Sequence, residues 1–324
     1  MAGGGSDHAV SSEIFKDPSA CFLAAGDQEA VFLPRRGMLG ASLRHRGVEI
    51  LRRMEDLEAA AAKGSSAGIP LLYPWANRLA GPYYCAAAKE VVLEPRSPLL
   101  HFDDHGLPMH GVPWSLLAWD LTDVRRDGLV GRLDWTREDL LAVFPFRHRL
   151  EMAVRIGPEG LTVEMTLVAS PDSPVPMSFG SHPYFGLPGL RRTQWRLKLP
   201  AMRRLLLDRK GIPTGEEEPF GGFDAQLGGL EFDDGFAVLE DQPSFSLTGA
   251  GLRITLKFLG GYPYAQVFAP KGKAYIALEP MTAPTNALIS GRGLSLVEPG
   301  AQFRAAIQIR IDGLPWDCHQ ERIA

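Results

Sequence analysis

Apolar and polar residues alternate with a period of two over the longest patterned stretch of the chain. Leu150, Met152, Val154 and Ile156 precede Gly157-Pro158-Glu159-Gly160, and Leu161, Val163, Met165 and Leu167 follow it, with mostly polar residues between. Successive side chains of a β-strand project to opposite faces, so this pattern predicts two strands, each apolar on one face, joined as a hairpin by the Gly/Pro turn. The alternation returns at Phe303, Ala305, Ile307, Ile309 and Ile311, and in shorter form around residues 91–93, 195–199, 252–258 and 274–278. Only residues 52–63, rich in Leu, Met, Glu and Ala, predict a helix, which Gly64-Ser65-Ser66 would end.

Strands do not alternate with long helical patterns, and 35 Gly and 26 Pro punctuate them. A parallel α/β sheet is therefore disfavoured, and the expected fold is all-β, a large antiparallel sandwich with little helix. No internal repeat and no linker demands a boundary. The chain is read as a single sandwich domain over residues 13–324 behind a disordered N-terminus at residues 1–12.

Composition narrows the function. At 324 residues and 45% hydrophobic content the chain can bury a substantial core. Its formal charge of −4, from 34 basic and 38 acidic side chains, offers no global field for a polyanion, so nucleic acid is not expected as a partner. Cys21, Cys85 and Cys318 are odd in number and lack C-x-x-C spacing, which suggests neither a disulfide framework nor a zinc knuckle. With no signal-peptide pattern and no long apolar run, a cytoplasmic protein without a membrane segment is the expectation.

Four short segments can carry chemistry. Asn77-Arg78, framed by Pro74 and Gly81, supplies an amide and a guanidinium able to reach sugar-like hydroxyls, although a surface turn with an ion-paired Arg is the commoner arrangement. His101, His105 and His110 surround Asp103 and Asp104 and invite a metal reading. Pro98, Gly106 and Pro108 preclude a helix that would place two of these histidines on one face, so no metal is expected. His182 lies among aromatic residues in Phe179-Gly180-Ser181-His182-Pro183-Tyr184-Phe185, either as a poised proton donor or as a core histidine bonded to backbone. Glu279 shares one face of a strand with Tyr275 and Ala277, and Pro280 is expected to stop the pairing there, so the carboxylate either points into a cleft or stands exposed at an edge. Asp233 in Phe232-Asp233-Asp234 and Gln266 in Ala265-Gln266-Val267 add a carboxylate and an amide. The basic run at residues 191–210 is read as a solvated strand face in preference to a phosphate patch.

In this order, Asn77-Arg78, His110-Gly111, His182 before Tyr184-Phe185, Ile212-Pro213-Thr214-Gly215, Phe232-Asp233, Gln266 and Glu279-Pro280 resemble the aldose 1-epimerase, or galactose mutarotase, family from about Gly37 onward. The resemblance implies the same large antiparallel sandwich and a cofactor-free isomerase acting on a sugar. It implies Glu279 as general base, His182 as general acid, His110 assisting near the ring oxygen, and Asn77, Arg78, Asp233 and Gln266 holding hydroxyls, with Asp233 preferred to Asp234 from the Phe-Asp pair. Gly186 stands where the family commonly has Asn, and Tyr73-Pro74-Trp75 replaces a more usual Gly-Arg pair before Asn77. The expected substrate is a free aldohexose such as glucose or galactose. Rival readings are a mutarotase for hexose 6-phosphates, if the 191–210 run faces the cleft, a non-catalytic sugar-binding protein on the same fold, and a glycosidase or lyase pairing Glu279 with Asp233.

Overall fold

The computed structural model describes residues 17–313. The N-terminal stretch expected to be disordered and Cys318 lie outside the described residues. Two large antiparallel sheets dominate, one of nine strands and one of eight, with smaller two- and four-stranded sheets beside them. The chain is thus all-β and sandwich-like.

The predicted hairpin forms as strands His148–Gly157 and Gly160–Ala169. Its register sets Leu150 opposite Leu167, Met152 opposite Met165 and Val154 opposite Val163. The strand Gln302–Asp312 continues that face, with Ile307 opposite Val163 and Ile309 opposite Leu161, and Leu252–Gly260 extends it through Leu256 and Phe258. Directly opposed residues of antiparallel strands share a face, so the period-two pattern of four strands becomes one apolar sheet surface. That surface packs into a core shared with Phe236, Val267, Ile276 and Leu278 of the eight-stranded sheet.

Helix is scarce, as expected, but its placement differs. The segment at 52–63 is helical only at Leu57–Ala62, where the Asp56 side chain caps the first turn by accepting from the Ala59 N–H at 3.0 Å. Residues 52–56 are irregular and tied to the sheet at their start: Leu51 bridges Phe185, and the Arg52 N–H donates to the Tyr184 carbonyl. Backbone pairing there overrides local helix propensity. Short helices at Glu138–Val143 and Ala287–Ser290 carry no periodicity long enough to announce them.

A second difference concerns Pro280, which does not stop its strand. Ile276–Met281 runs through it, with Pro280 opposite Ala265 and Met281 opposite both Tyr264 and Gly180. The Leu278 N–H points toward Pro183, so the nitrogen two residues on faces the same side, at the gap between strands Gly180–Ser181 and Tyr184–Phe185. The missing N–H therefore removes no bond to the strand Tyr264–Ala269 on the other side.

Candidate active site

The eight-stranded sheet turns its second face to a cleft of about 350 Å³, in the size range of small-molecule sites. Register explains which side chains meet there. Glu279 lies opposite Gln266, which lies opposite Gly235; one row along, Tyr184, Ala277, Phe268 and Asp233 are opposed in series. The odd–even alternation that turns Leu278 and Val267 to the core thus turns Glu279, Ala277 and Asp233 to the cleft. Asp234 falls on the other face, with its carboxylate 3.4 Å from the Arg204 Nε, so the cleft carboxylate of the Phe-Asp-Asp run is Asp233.

His182 enters from the gap between the two short strands opposite Pro280. Its Nε2 lies 3.1 Å from Glu279 Oε1, and both side chains are almost wholly buried. The imidazole stacks on the Tyr184 ring at 4.2 Å, and the Tyr184 hydroxyl lies 3.3 Å from Nε2 and 2.9 Å from the Ser66 hydroxyl. Glu279 Oε2 and His182 Nδ1 are buried without a hydrogen-bond partner. Burial, reinforced by Asp233, holds the Glu279 pKa well above the ordinary carboxylate value. Burial, then the neighbouring His110 and Arg52, holds that of His182 well below its ordinary value. Burial disfavours the charged form of each group, so both shifts favour the neutral pair of imidazole and carboxylic acid. Moving one proton along the Nε2···Oε1 line converts it to imidazolium and carboxylate.

Asn77 and His110 face each other on irregular chain, both with left-handed backbone, at φ 54° and 61°. Such values are uncommon for a histidine, and they are held by reciprocal bonds: the His110 N–H donates to the Asn77 carbonyl at 2.9 Å, and the Asn77 N–H donates to His110 Nδ1 at 3.2 Å. Gly111 follows at φ 67°, where any Cβ would lie 2.2 Å from the Tyr73 carbonyl oxygen. A backbone N–H only donates, so Nδ1 is the acceptor and neutral His110 carries its proton on Nε2. Burial, helped by Arg78 and His101, lowers its pKa to about 3, keeping it neutral.

Arg78 reaches the cleft with its Nε donating to Asp103 at 2.6 Å. Asp103 also accepts from the His105 and Leu107 N–H groups; burial works against ionisation, but these bonds and Arg78 together hold its pKa below the usual value. The 101–110 loop is therefore a positioning element. His101 and His110 both line the cleft, whereas His105 is exposed.

Six of the seven residues singled out from sequence, Asn77, Arg78, His110, His182, Asp233 and Glu279, line this one cleft. Gln266 does not; its amide donates to Asp233 at 2.7 Å, which orients that carboxylate. The 191–210 run stays outside. Arg196, Arg203 and Arg204 pair with Asp224, Glu217 and Glu218 on neighbouring strands, the solvated face expected. Arg192 departs from it by donating to the carbonyls of Gly228, Leu230, Ala269, Lys273 and Tyr275. Sequence reasoning missed Arg52, which lines the cleft, because it was counted into the predicted helix.

Among the described residues no helix is long and apolar enough to cross a membrane. The aldose 1-epimerase family model matches residues 34–310. The chain is 24% identical over 255 residues to the uncharacterised protein YihR of Escherichia coli K12, spanning 74% of this chain and 77% of that one. Among solved structures it resembles a galactose mutarotase-like protein of Clostridium acetobutylicum, with TM-score 0.77 at 19% identity over 90% of this chain and 95% of that one. It also resembles the Slr1438 protein of Synechocystis sp. PCC 6803, with TM-score 0.75 at 25% identity over 92% and 96%. With that match across most of its length and a sandwich of the same fold, the chain belongs to the aldose 1-epimerase family.

Proposed function

We propose that this protein is an aldose 1-epimerase that exchanges the α and β anomers of an aldohexose by general acid–base catalysis, as a cytoplasmic enzyme without a cofactor. The observation that carries the reading is the buried His182–Glu279 pair at 3.1 Å on the cleft floor. Glu279, as carboxylate, takes the proton of the anomeric hydroxyl while His182, as imidazolium, gives one to the ring oxygen. The C1–O5 bond breaks with its electron pair going to O5, and C1=O forms. Rotation about C1–C2 and the reverse proton transfers close the ring as the other anomer, returning both groups to their starting state. His110 donates its Nε2–H beside the ring oxygen, while Asn77, Arg78 and Asp233 hold hydroxyls and Gln266 orients Asp233.

The proton inventory of the pair supports acid–base catalysis, and the division of roles between Glu279 and His182 is the one the family resemblance implies. A pair sharing one transferable proton contains one acid and one base at all times, which ring opening requires. Lowering the His182 pKa delays gain of a second proton as pH falls, and raising that of Glu279 delays loss of the shared one as pH rises, so the active form occupies a wide window near neutrality.

The test is the approach of pure α-D-glucose and α-D-galactose to anomeric equilibrium, followed by polarimetry or NMR, for wild type, Glu279→Gln and His182→Ala. Loss of about 10²–10⁴-fold in each variant is expected. Undiminished activity of Glu279→Gln would sink the assignment, and sugar binding without exchange by the wild type would favour a binding protein.

A further inference from the structure

The cleft is electrically lopsided, and its register shows how. From Glu279, two strands one way lead through Gln266 to the strand carrying Asp233; two the other way lead through Tyr184 to Arg52, whose neighbour Leu51 bridges Phe185. At about 4.8 Å per strand, an anionic end and a cationic end stand on opposite sides of the acid–base pair.

Arg52 differs from Arg78 in what it has to bind. Arg78 is neutralised by Asp103. Among the described residues no carboxylate lies within ion-pair distance of Arg52. One of its terminal nitrogens donates to the Ser66 carbonyl at 3.2 Å, and its guanidinium carbon sits 4.4 Å from the Tyr275 ring centroid and 5.5 Å from that of Tyr184. Two aromatic rings fix the plane and leave other N–H groups without an acceptor among the described residues, in a half-buried position beside the Ser65–Ser66 loop. Gly64 shapes this wall: a Cβ there would meet His101 Nδ1 at 2.3 Å.

The chemistry of ring opening gives this cation an address on the substrate. His182 must reach the ring oxygen, and Arg52 lies just beyond Tyr184, the ring on which His182 stacks. The atom next to the ring oxygen, away from C1, is C5, and C5 carries C6. A substituent on C6 is therefore the part of an aldohexose that can project toward Arg52, whereas the other end of the sugar meets Asp233. A fixed anion at C6 would complete the unmatched guanidinium and be repelled from Asp233, setting one orientation.

Resting on the mutarotase reading, we infer that Arg52 is a specificity-determining residue and that the preferred substrate is an aldohexose carrying a negatively charged group on C6, a phosphate or a carboxylate. This revises the expectation of an uncharged hexose, and on grounds unrelated to the 191–210 run.

The experiment compares α-D-glucose, α-D-glucose 6-phosphate and α-D-glucuronate as substrates of wild type, Arg52→Gln and Arg52→Lys. In the wild type at least one charged sugar is expected to exceed glucose in kcat/KM by about tenfold or more. In Arg52→Gln the charged-to-neutral ratio should fall about ten- to a hundredfold through KM, with Arg52→Lys retaining part of it. Which anion gives the larger ratio distinguishes phosphate from carboxylate. A wild type no better on either charged sugar, or a ratio untouched by Arg52→Gln, overturns the inference while leaving the mutarotase reading intact. If no sugar is turned over, that reading fails instead, and calorimetric titration of the same three sugars into wild type and Arg52→Gln decides the role of Arg52 without turnover: preference for a charged sugar, lost in the variant, supports it, and equal binding overturns it.

Discussion

In the nine-stranded sheet the central strands His148–Gly157, Gly160–Ala169 and Gln302–Asp312 are ten or eleven residues long and pair without interruption, whereas the strands beside Glu279 in the other sheet, Gly180–Ser181 and Tyr184–Phe185, are two residues each. The first arrangement buries an apolar stripe on every strand. The second leaves a gap through which His182 reaches a carboxylate, and seats both in surroundings that work against their charged forms. One sheet is thus organised for stability, the other to hold a histidine and a carboxylate in uncomfortable but defined places, as the proposed acid–base role requires. The difference should be visible as separable effects of substitution.

The largest separation is expected at Glu279. Glu279→Gln should lower anomer exchange by about 10²–10⁴-fold while leaving the thermal midpoint unchanged or raised, because the amide is neutral where burial already opposes charge. A midpoint depressed by many degrees would make Glu279 a structural residue and dissolve the contrast. The converse substitution is Leu256→Ala, at a fully buried site opposite Ile309. It should cost about 2–5 kcal/mol in denaturant unfolding, with kcat and KM intact at temperatures where the variant stays folded.

A smaller effect links the two sheets. His148, at the start of a nine-stranded-sheet strand, stacks on Trp135, donates from Nδ1 to the Phe146 carbonyl at 2.6 Å, and accepts at Nε2 from the hydroxyl of Tyr73, whose backbone bridges Gly111 beside the site. Burial lowers its pKa to about 4 from an ordinary 6.5. Between those values the unfolded chain binds a proton that the folded chain excludes, so the neutral-His148 fold should lose stability as pH falls through that interval, and the contribution is complete above it. Urea unfolding of wild type and His148→Gln from pH 7 to pH 4 reads this directly: the variant should start less stable and show the shallower acid decline, and parallel declines would remove His148 as the cause.

The same contrast governs what could be read from the sequence. Leu150, Met152, Val154 and Ile156 announce their strand because one face is buried along its whole length and the side-chain period is two. Around the cleft the signals are local: Tyr275, Ala277 and Glu279 alternate legibly, but Arg52 opens a stretch rich in helix formers, and only its backbone bond to Tyr184, distant in sequence, ties it to the sheet. Pro280 misleads for a related reason, since its effect depends on the gap opposite it. Motif order grouped Asn77, His110, His182 and Glu279 and preferred Asp233 to Asp234, yet the tautomer of His110 needed backbone geometry, and register gave the reason Asp233 faces the cleft.

The basic run at 191–210 supplies the finest comparison, between two arginines of one stretch. Arg192 spends its guanidinium on five carbonyl oxygens drawn from residues 228–275, tying down the chain that carries Tyr275. Its removal strands acceptors that solvent reaches only in part, so Arg192→Ala should cost about 1–3 kcal/mol and shift KM through Tyr275. Arg196, exposed and paired to Asp224 at 2.7 Å on an outward face, should contribute almost nothing: Arg196→Ala is expected to change unfolding free energy by less than about 0.5 kcal/mol, with kinetics unaltered. Urea melts of the two variants at low and high salt separate them, since a screened ion pair weakens with salt and a web of bonds to backbone does not. Equal losses at both positions would mean that the basic face stabilises as a network, and that burial rather than charge density is the wrong axis on which to divide this sheet.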